Sequence, residues 1–194
     1  TGPLTQNRMK VVQHWGGDEK LLARAMALAS DAEWNGETAI GEPTEAALVT
    51  YAAGLEMPKA ALEAETPRVG EAPFDSMRKM MSTLHRQKDG RIIQFTKGAP
   101  DEILRRCTHM LVDGNTVVMT DAMRKDVLSA NKGMADRALR VLAAAKREYG
   151  EMPSEITPEA LEQGLTFIGL VGMIDPVRPE VKDAIDQCFA AGIR

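Results

Sequence analysis

The sequence predicts an α/β (α+β) fold in which an antiparallel β-sheet is flanked by helices. Three observations carry that expectation. Apolar residues recur at helical spacing from Leu21 to Ala29. Asp-Gly pairs at 89–90 and 113–114 sit between runs of β-forming residues. Helical and hairpin segments also interleave along the chain, which suits a sheet covered by helices.

Taken in order, residues 1–10 lack helical periodicity and contain Pro3. From Asp18, Leu21, Leu22, Ala25, Leu28 and Ala29 define an amphipathic helix. Gly41-Glu42-Pro43-Thr44-Glu45 opens a second helix with Pro in its first turn, running through Leu48 and Tyr51 to Gly54. Pro58 starts a third, to about Glu65. Residues 79–87 and 91–97 form a hairpin around Asp89-Gly90, a pair that accepts the positive φ values of a tight turn. Ala99 to Arg106 reads as a helix, and His109–Val112 with Thr116–Met119 as a second hairpin around Asp113-Gly114-Asn115. Thr120 caps a helix to about Ala135. Arg140–Ala145 and Leu165–Ile174 are strands separated by a loop rich in Pro and Glu, and 180–191 is an amphipathic helix ended by Gly192.

Composition narrows the functional classes. The 194 residues suit one domain, or one domain with fragments of a neighbour. Aromatic content is only 4% and there are 12 Met, so methionine is expected to fill core gaps. The net charge of −4, from 24 basic and 28 acidic residues without long runs, argues against a nucleic-acid surface. Cys107 and Cys188 form no CxxC pair, and His14, His85 and His109 have no second ligand at metal-binding spacing. No apolar run approaches the ~20 residues of a membrane span, and no signal peptide is visible, so the chain is expected to be soluble without direct membrane contact.

Five internal segments point to chemistry. Glu45 in Gly41-Glu42-Pro43-Thr44-Glu45 is a pure acceptor at a helix start; it suits an N–H donor on a ligand, or simply the positive helix terminus. In Phe74-Asp75-Ser76-Met77-Arg78-Lys79-Met80-Met81-Ser82, Phe74 lies between Pro73 and a polar run. Its ring can stack on a base beside Lys79, or plug the core at a strand start. Phe95-Thr96-Lys97-Gly98-Ala99-Pro100-Asp101 combines a cation, a residue without Cβ that permits close approach, and a helix-starting Pro; an ordinary strand–turn–helix junction explains the Gly and Pro but not Lys97. Arg140 projects from an apolar strand and needs a partner, either a polyphosphate or an Asp or Glu; Leu142 shares its face. The fifth segment is Met173-Ile174-Asp175-Pro176-Val177-Arg178-Pro179. Neither a GxxxxGK[ST] phosphate loop nor a kinase Gly-rich loop is present.

Together these segments resemble the nucleotide-binding (N) domain of P-type cation-transporting ATPases, calcium-type or related. They are similar to that family's GEPTE, FDSxRKRMS, KGAP and DPxRxEV motifs, with Met80 where Arg is frequent. Thr1-Gly2-Pro3-Leu4-Thr5-Gln6-Asn7 resembles the stretch after the Asp-Lys of the DKTGTLTQN phosphorylation signature, with Pro3 in place of Thr.

The resemblance covers essentially the whole chain. It implies residues 1–7 as a fragment of the phosphorylation domain, 8–174 as the nucleotide-binding domain, and 175–194 as the hinge with another phosphorylation-domain fragment. It also implies ATP, with Mg²⁺ held mainly by the phosphorylation domain, as ligand. The implied ATP contacts are Glu45, Phe74, Lys79, Lys97, Gly98, Arg140, Leu142, Asp175 and Arg178. The phosphorylated Asp would lie outside this chain, so binding without turnover is expected. Further implied partners are the phosphorylation and actuator domains of a pump, at the cytoplasmic face of a membrane. The competing classes are a binding module for another nucleotide or a protein partner, and a dehalogenase-type hydrolase. The latter needs an Asp-x-Asp motif, which the N-terminal region lacks.

Overall fold

In the computed structural model, which describes residues 8–175 together with Gln187, Cys188 and Ala190, local chemistry sets each boundary. The elements run β1 (Lys10–Trp15), α1 (Glu19–Leu28), β2 (Glu33–Trp34), β3 (Ala39–Ile40), α2 (Pro43–Gly54), α3 (Lys59–Glu65), β4 (Arg68–Asp75) and β5 (Met80–Arg86). They continue with β6 (Ile92–Gly98), α4 (Pro100–Arg105), β7 (Cys107–Val112), β8 (Asn115–Val118), α5 (Asp121–Asp136), β9 (Arg140–Tyr149), α6 (Pro158–Leu161) and β10 (Leu165–Ile174). Side-chain caps start the helices: Asp18 accepts the Leu21 amide, Glu42 the Glu45 amide, and Thr120 the Met123 amide, at 3.0, 3.0 and 3.1 Å. Pro43 and Pro100 occupy first-turn positions, where a missing N–H costs nothing.

Among the described residues the main sheet has eight strands, in the order β4-β5-β6-β9-β10-β7-β8, with β1 also on β10. It is antiparallel except for one pairing: Leu165–Phe167 of β10 run parallel to β7. The Lys10–Trp15 strand takes the other half of the same edge of β10, against Leu170–Ile174. The sheet is therefore mixed rather than wholly antiparallel. The cause is that β10 returns alongside a strand entered from α4, not from a hairpin.

Side-chain alternation divides the core between the two faces. Ile93, Phe95, Ala144, Val171 and Met173 pack against α1, α2 and α3 through Leu22, Met26, Leu48 and Leu62. Ala143, Ala145, Phe167 and Leu170 face α4 and α5 through Ile103, Val127 and Met134. Methionine fills both cores, as expected in an aromatic-poor chain.

The hairpins differ from expectation in an instructive way. Asp113 and Gly114 both have positive φ (50° and 80°) between the paired Val112 and Asn115, so they form the two-residue turn, and Asn115 belongs to the strand. At 89–90 only Gly90 is left-handed, and residues 87–91 make a longer loop closed by the Gln87 N–H on the Arg91 carbonyl. Lys79, expected at the start of a strand, lies in the β4–β5 turn with φ 60°.

Strands β1, β2, β3 and β4 and the short α6 were not expected from the sequence. Gly70 and Pro73 disguise β4, but at a sheet edge Pro deletes no required ladder donor. The 180–191 helix falls outside the described residues apart from Gln187, Cys188 and Ala190.

Two buried features yield predictions. Met80 pairs with Gly98, and the Ala99 amide donates to the Lys79 carbonyl at 3.0 Å. A Cβ on Gly98 would overlap that carbonyl oxygen and come within 2.7 Å of the Met80 Cβ. Gly98→Ala is expected to lower stability by about 2–3 kcal/mol, read as a reduced urea midpoint; an unchanged midpoint refutes the close approach.

His85 has no exposed surface. Its Nδ1 donates to the Thr66 carbonyl at 3.0 Å, which leaves Nε2 to accept the Thr83 hydroxyl at 2.8 Å. The neutral ring is thus fully satisfied. Burial, partly opposed by the Thr66 carbonyl and assisted by the Arg68, Arg24 and Lys59 cations, pushes its pKa down from 6.5 to about 4. Between those values the unfolded chain binds more protons, so this group's stabilisation is complete above about pH 6.5 and lost as pH falls to about 4. The loss amounts to about 3 kcal/mol. The stability advantage of the unsubstituted chain over His85→Gln should shrink across that window in urea titrations, and a pH-independent difference would contradict the assignment.

Candidate functional site

The site is built at one end of the main sheet, where β6 finishes, β5 and β9 begin, and α2 starts. Lys97 follows Ile93 and Phe95 at alternate positions of β6, so it emerges on the α1–α2 face. Its residue exposure is only 7%. A buried ammonium requires a counterion, and Glu45 Oε2 supplies it at 2.9 Å. Met81 Sδ lies 3.1 Å from the same Nζ. The other Glu45 oxygen accepts the Asp31 amide at 3.0 Å.

Glu45 is therefore not the helix cap, a job done by Glu42. It is a carboxylate held from two directions. A carboxylate has about four acceptor positions, so two bonds leave capacity for a ligand N–H.

Phe74 lies on the edge strand β4 and Lys79 in the turn that leads from it into β5. The β4–β5 register breaks between Ala72↔Ser82 and Asp75↔Met80, which sets Phe74 in a bulged stretch opposite Met81. Met81 in turn pairs with Lys97. Phe74 is thus two strands from Lys97, about 10 Å by ordinary strand spacing. It is 62% exposed, which excludes the core-plug alternative. Lys79 is exposed, and its left-handed backbone stores strain of the sort found at binding turns. The missing Cβ of Gly98 admits the Lys79 carbonyl, so in this structure its close approach serves the turn that carries Lys79.

Arg140 opens β9 on the same side. Its Nη1 donates to the Thr44 hydroxyl at 2.9 Å, a neutral partner rather than the carboxylate considered from sequence. It lines a cleft of about 300 Å³ with Met9, Glu42, Pro43, Thr44, Met173 and Asp175. Leu142 is half-buried, opposite Val171, and packs on the α1–α2 core. Asp175 thus shares the cleft with Arg140, whereas Arg178 and Pro3 lie outside the described residues.

The structure brings Glu45 and Lys97 into contact, ties Gly98 to Lys79, places Arg140 on the residue preceding Glu45, and sets Phe74 across Met81. Sequence reasoning missed Asp31, Thr44 and Met81. Thr44 and Met81 lay inside quoted motifs without a role, and Asp31 contributes a backbone amide that carries no sequence signal.

Other chemistry finds little support. Burial pushes the Cys107 thiol up to about 12, so it is not a nucleophile at neutral pH. Among the described residues no three or more His, Cys, Asp or Glu gather as a metal-holding group. No helix among them is long and apolar enough to cross a membrane.

Comparison with known proteins identifies the family. The family model described as the P-type ATPase cytoplasmic domain N matches residues 19–180. A calcium-transporting ATPase of Bacillus cereus is 43% identical over all of this chain, which spans 23% of that relative. A calcium-transporting ATPase of Lactococcus lactis is 36% identical, again over the whole chain and 24% of the relative. A cation-transporting ATPase of Synechocystis sp. is 39% identical over 91% of the chain and 19% of its own length. The chain thus spans about a quarter or less of these relatives. By its sequence match from residue 19 to 180, the chain belongs to the P-type ATPases as a cytoplasmic N domain.

Proposed function

We propose that this chain captures ATP for a cation-transporting pump and presents the γ-phosphate to an aspartate outside it. The observation that carries the reading is an exposed aromatic ring, Phe74, two strands from the buried Lys97 and its half-buried partner Glu45 at one sheet end. In this reading the adenine stacks on Phe74 and its amino group donates to Glu45. Lys97 and Lys79 set the charge of the pocket, Gly98 shapes its floor, and Leu142 supplies apolar contact. Arg140, whose bond to Thr44 is to a neutral group, exchanges that partner for phosphate oxygens.

Phosphoryl transfer depends on positioning and charge neutralisation. The division of labour proposed here leaves the acceptor Asp and Mg²⁺ coordination to the phosphorylation domain. Residues 1–7 and 175–194 are assigned to that domain, with Asp175 and Arg178 at the hinge, and 8–174 to the nucleotide-binding domain. The calcium-transporting relatives make a cation pump, anchored in a membrane and completed by an actuator domain, the fitting parent.

Calorimetric titration tests the proposal. ATP is expected to bind with Kd on the order of 1 mM or tighter, about −4 to −6 kcal/mol, without hydrolysis. Phe74→Ala should weaken it about tenfold, within the range of lost base stacking, and leave tripolyphosphate binding unchanged. Equal affinity for ATP and tripolyphosphate, or none for either, would favour a module for a different ligand or a protein partner.

A further inference from the structure

The β4–β5 turn poses a mechanical problem. It carries Phe74 and Lys79 on the outermost strand of the sheet, with a broken register and a left-handed residue. Edge segments with few buried contacts open readily, yet a stacking platform is useful only if its ring is held. Arg78 supplies the restraint. Its Nη2 donates to the carbonyls of Pro73 at 3.1 Å and Met80 at 3.3 Å, and its Nη1 lies 3.3 Å from Asp75 Oδ2. The residues on both sides of Phe74, and the one following Lys79, are thereby tied to one guanidinium.

That guanidinium is anchored by Glu162, 84 residues away. Arg78 Nε donates to Oε1 at 2.6 Å and Nη2 to Oε2 at 3.3 Å, a two-point grip that only a planar fork can make. Glu162 has no exposed surface. Its Oε2 also accepts the Ser82 hydroxyl at 2.7 Å, and Ser82 in turn meets Thr96 at 2.7 Å. Its carbonyl accepts Arg106 at 3.1 Å, and its amide donates to Pro158 at 2.8 Å. The carboxylate is thus fixed by the sheet and by α6, independently of the turn it restrains. Burying such a pair seldom adds net stability over an apolar pair of similar volume. What it gives is a defined geometry.

We infer that Glu162 is a positioning residue for the nucleotide site, acting through Arg78 to hold Phe74 and Lys79 in register with Lys97. The inference rests on the ATP-binding reading above. Neither residue touches the ligand; the pair sets the angle at which Phe74 and Lys79 are offered.

The test uses the 194-residue chain labelled with fluorophenylalanine, where Phe74, Phe95 and Phe167 are three of four signals, each assigned by substitution. Glu162→Gln, Arg78→Lys and the double variant Arg78→Met with Glu162→Leu are compared with the unsubstituted chain. Val127→Ala serves as a control that weakens a distant, fully buried core position. The Phe74 fluorine signal should broaden or move toward its unfolded position in all three clamp variants, while Phe95 and Phe167 stay in place. ATP affinity should fall about tenfold, the scale of a stacking contact, with tripolyphosphate binding unchanged. The double variant should keep a near-native melting temperature and still lose ATP affinity, whereas Val127→Ala should lose melting temperature and keep it. Clamp variants that bind ATP like the unsubstituted chain, with Phe74 unmoved, overturn the inference and leave the ATP reading intact. Failure of the unsubstituted chain to bind ATP overturns both.

Discussion

One buried charge organises this end of the molecule. The Lys97 ammonium leaves β6 on an apolar face and is almost wholly withdrawn from water. Such a charge is tolerated only with a counterion and saturated geometry. Glu45 meets that demand from the first turn of α2, so α2 has to arrive with its N-terminus against the end of β6. The docking then brings Thr44 to Arg140 and fits Glu45 under the Asp31 amide. Removing either partner of a buried pair characteristically costs about 3–5 kcal/mol, because the survivor is left uncompensated.

The Asp31 amide is itself positioned by electrostatics. Lys59, also buried, donates to the carbonyls of Ser30 and Ala32 at 2.6 Å each. Arg68 reaches the carbonyls of Leu28 and Ser30 and the Asp31 carboxylate. Two cations therefore gather the carbonyl-rich end of α1, where the helix dipole is negative, and turn the following amide toward Glu45. The Glu45–Lys97 pair at the sheet end and the Arg78–Glu162 pair beneath the β4–β5 turn follow the same rule. In each, a cation and a carboxylate far apart in sequence fix a segment that local backbone preference does not.

How much of this was legible in the sequence depends on range. Signals within a few residues were read well: the Thr120 cap, the proline at the start of α2, the Asp113-Gly114 turn. Of the motif residues, Glu45 and Lys97 meet directly, because one lies at a helix start and the other at the end of a buried strand. What escaped was non-local or backbone-borne. β4 hid behind Gly70 and Pro73, tolerable only because the strand is an edge, and edge position belongs to topology. β1 was missed because its exposed and half-covered positions alternate while its residue types do not, with Val12 on the exposed side and Gln13 on the half-covered one. Glu162 sits in a stretch read as an ordinary Pro- and Glu-rich loop; only the fold reveals that its side chain is wholly buried under Arg78.

The two halves of the candidate site have opposite characters. At the Phe74–Lys97 half, Lys97 springs from a paired strand and is compensated by Glu45, and the Arg78 that braces the turn is compensated by Glu162. Little rearrangement is left for a ligand to induce, which favours affinity by reducing the ordering cost of binding. At the Arg140 half the guanidinium is exposed and bonded to a neutral hydroxyl, beside a cleft that reaches Asp175. A neutral partner is given up more readily to a phosphate than a carboxylate would be, because a charge-assisted bond replaces a weaker one. For the proposed hand-off of ATP between domains this asymmetry is the required one. The rigid half retains the base, and the half with the exchangeable partner faces the end of the chain where the neighbouring domain is proposed to begin.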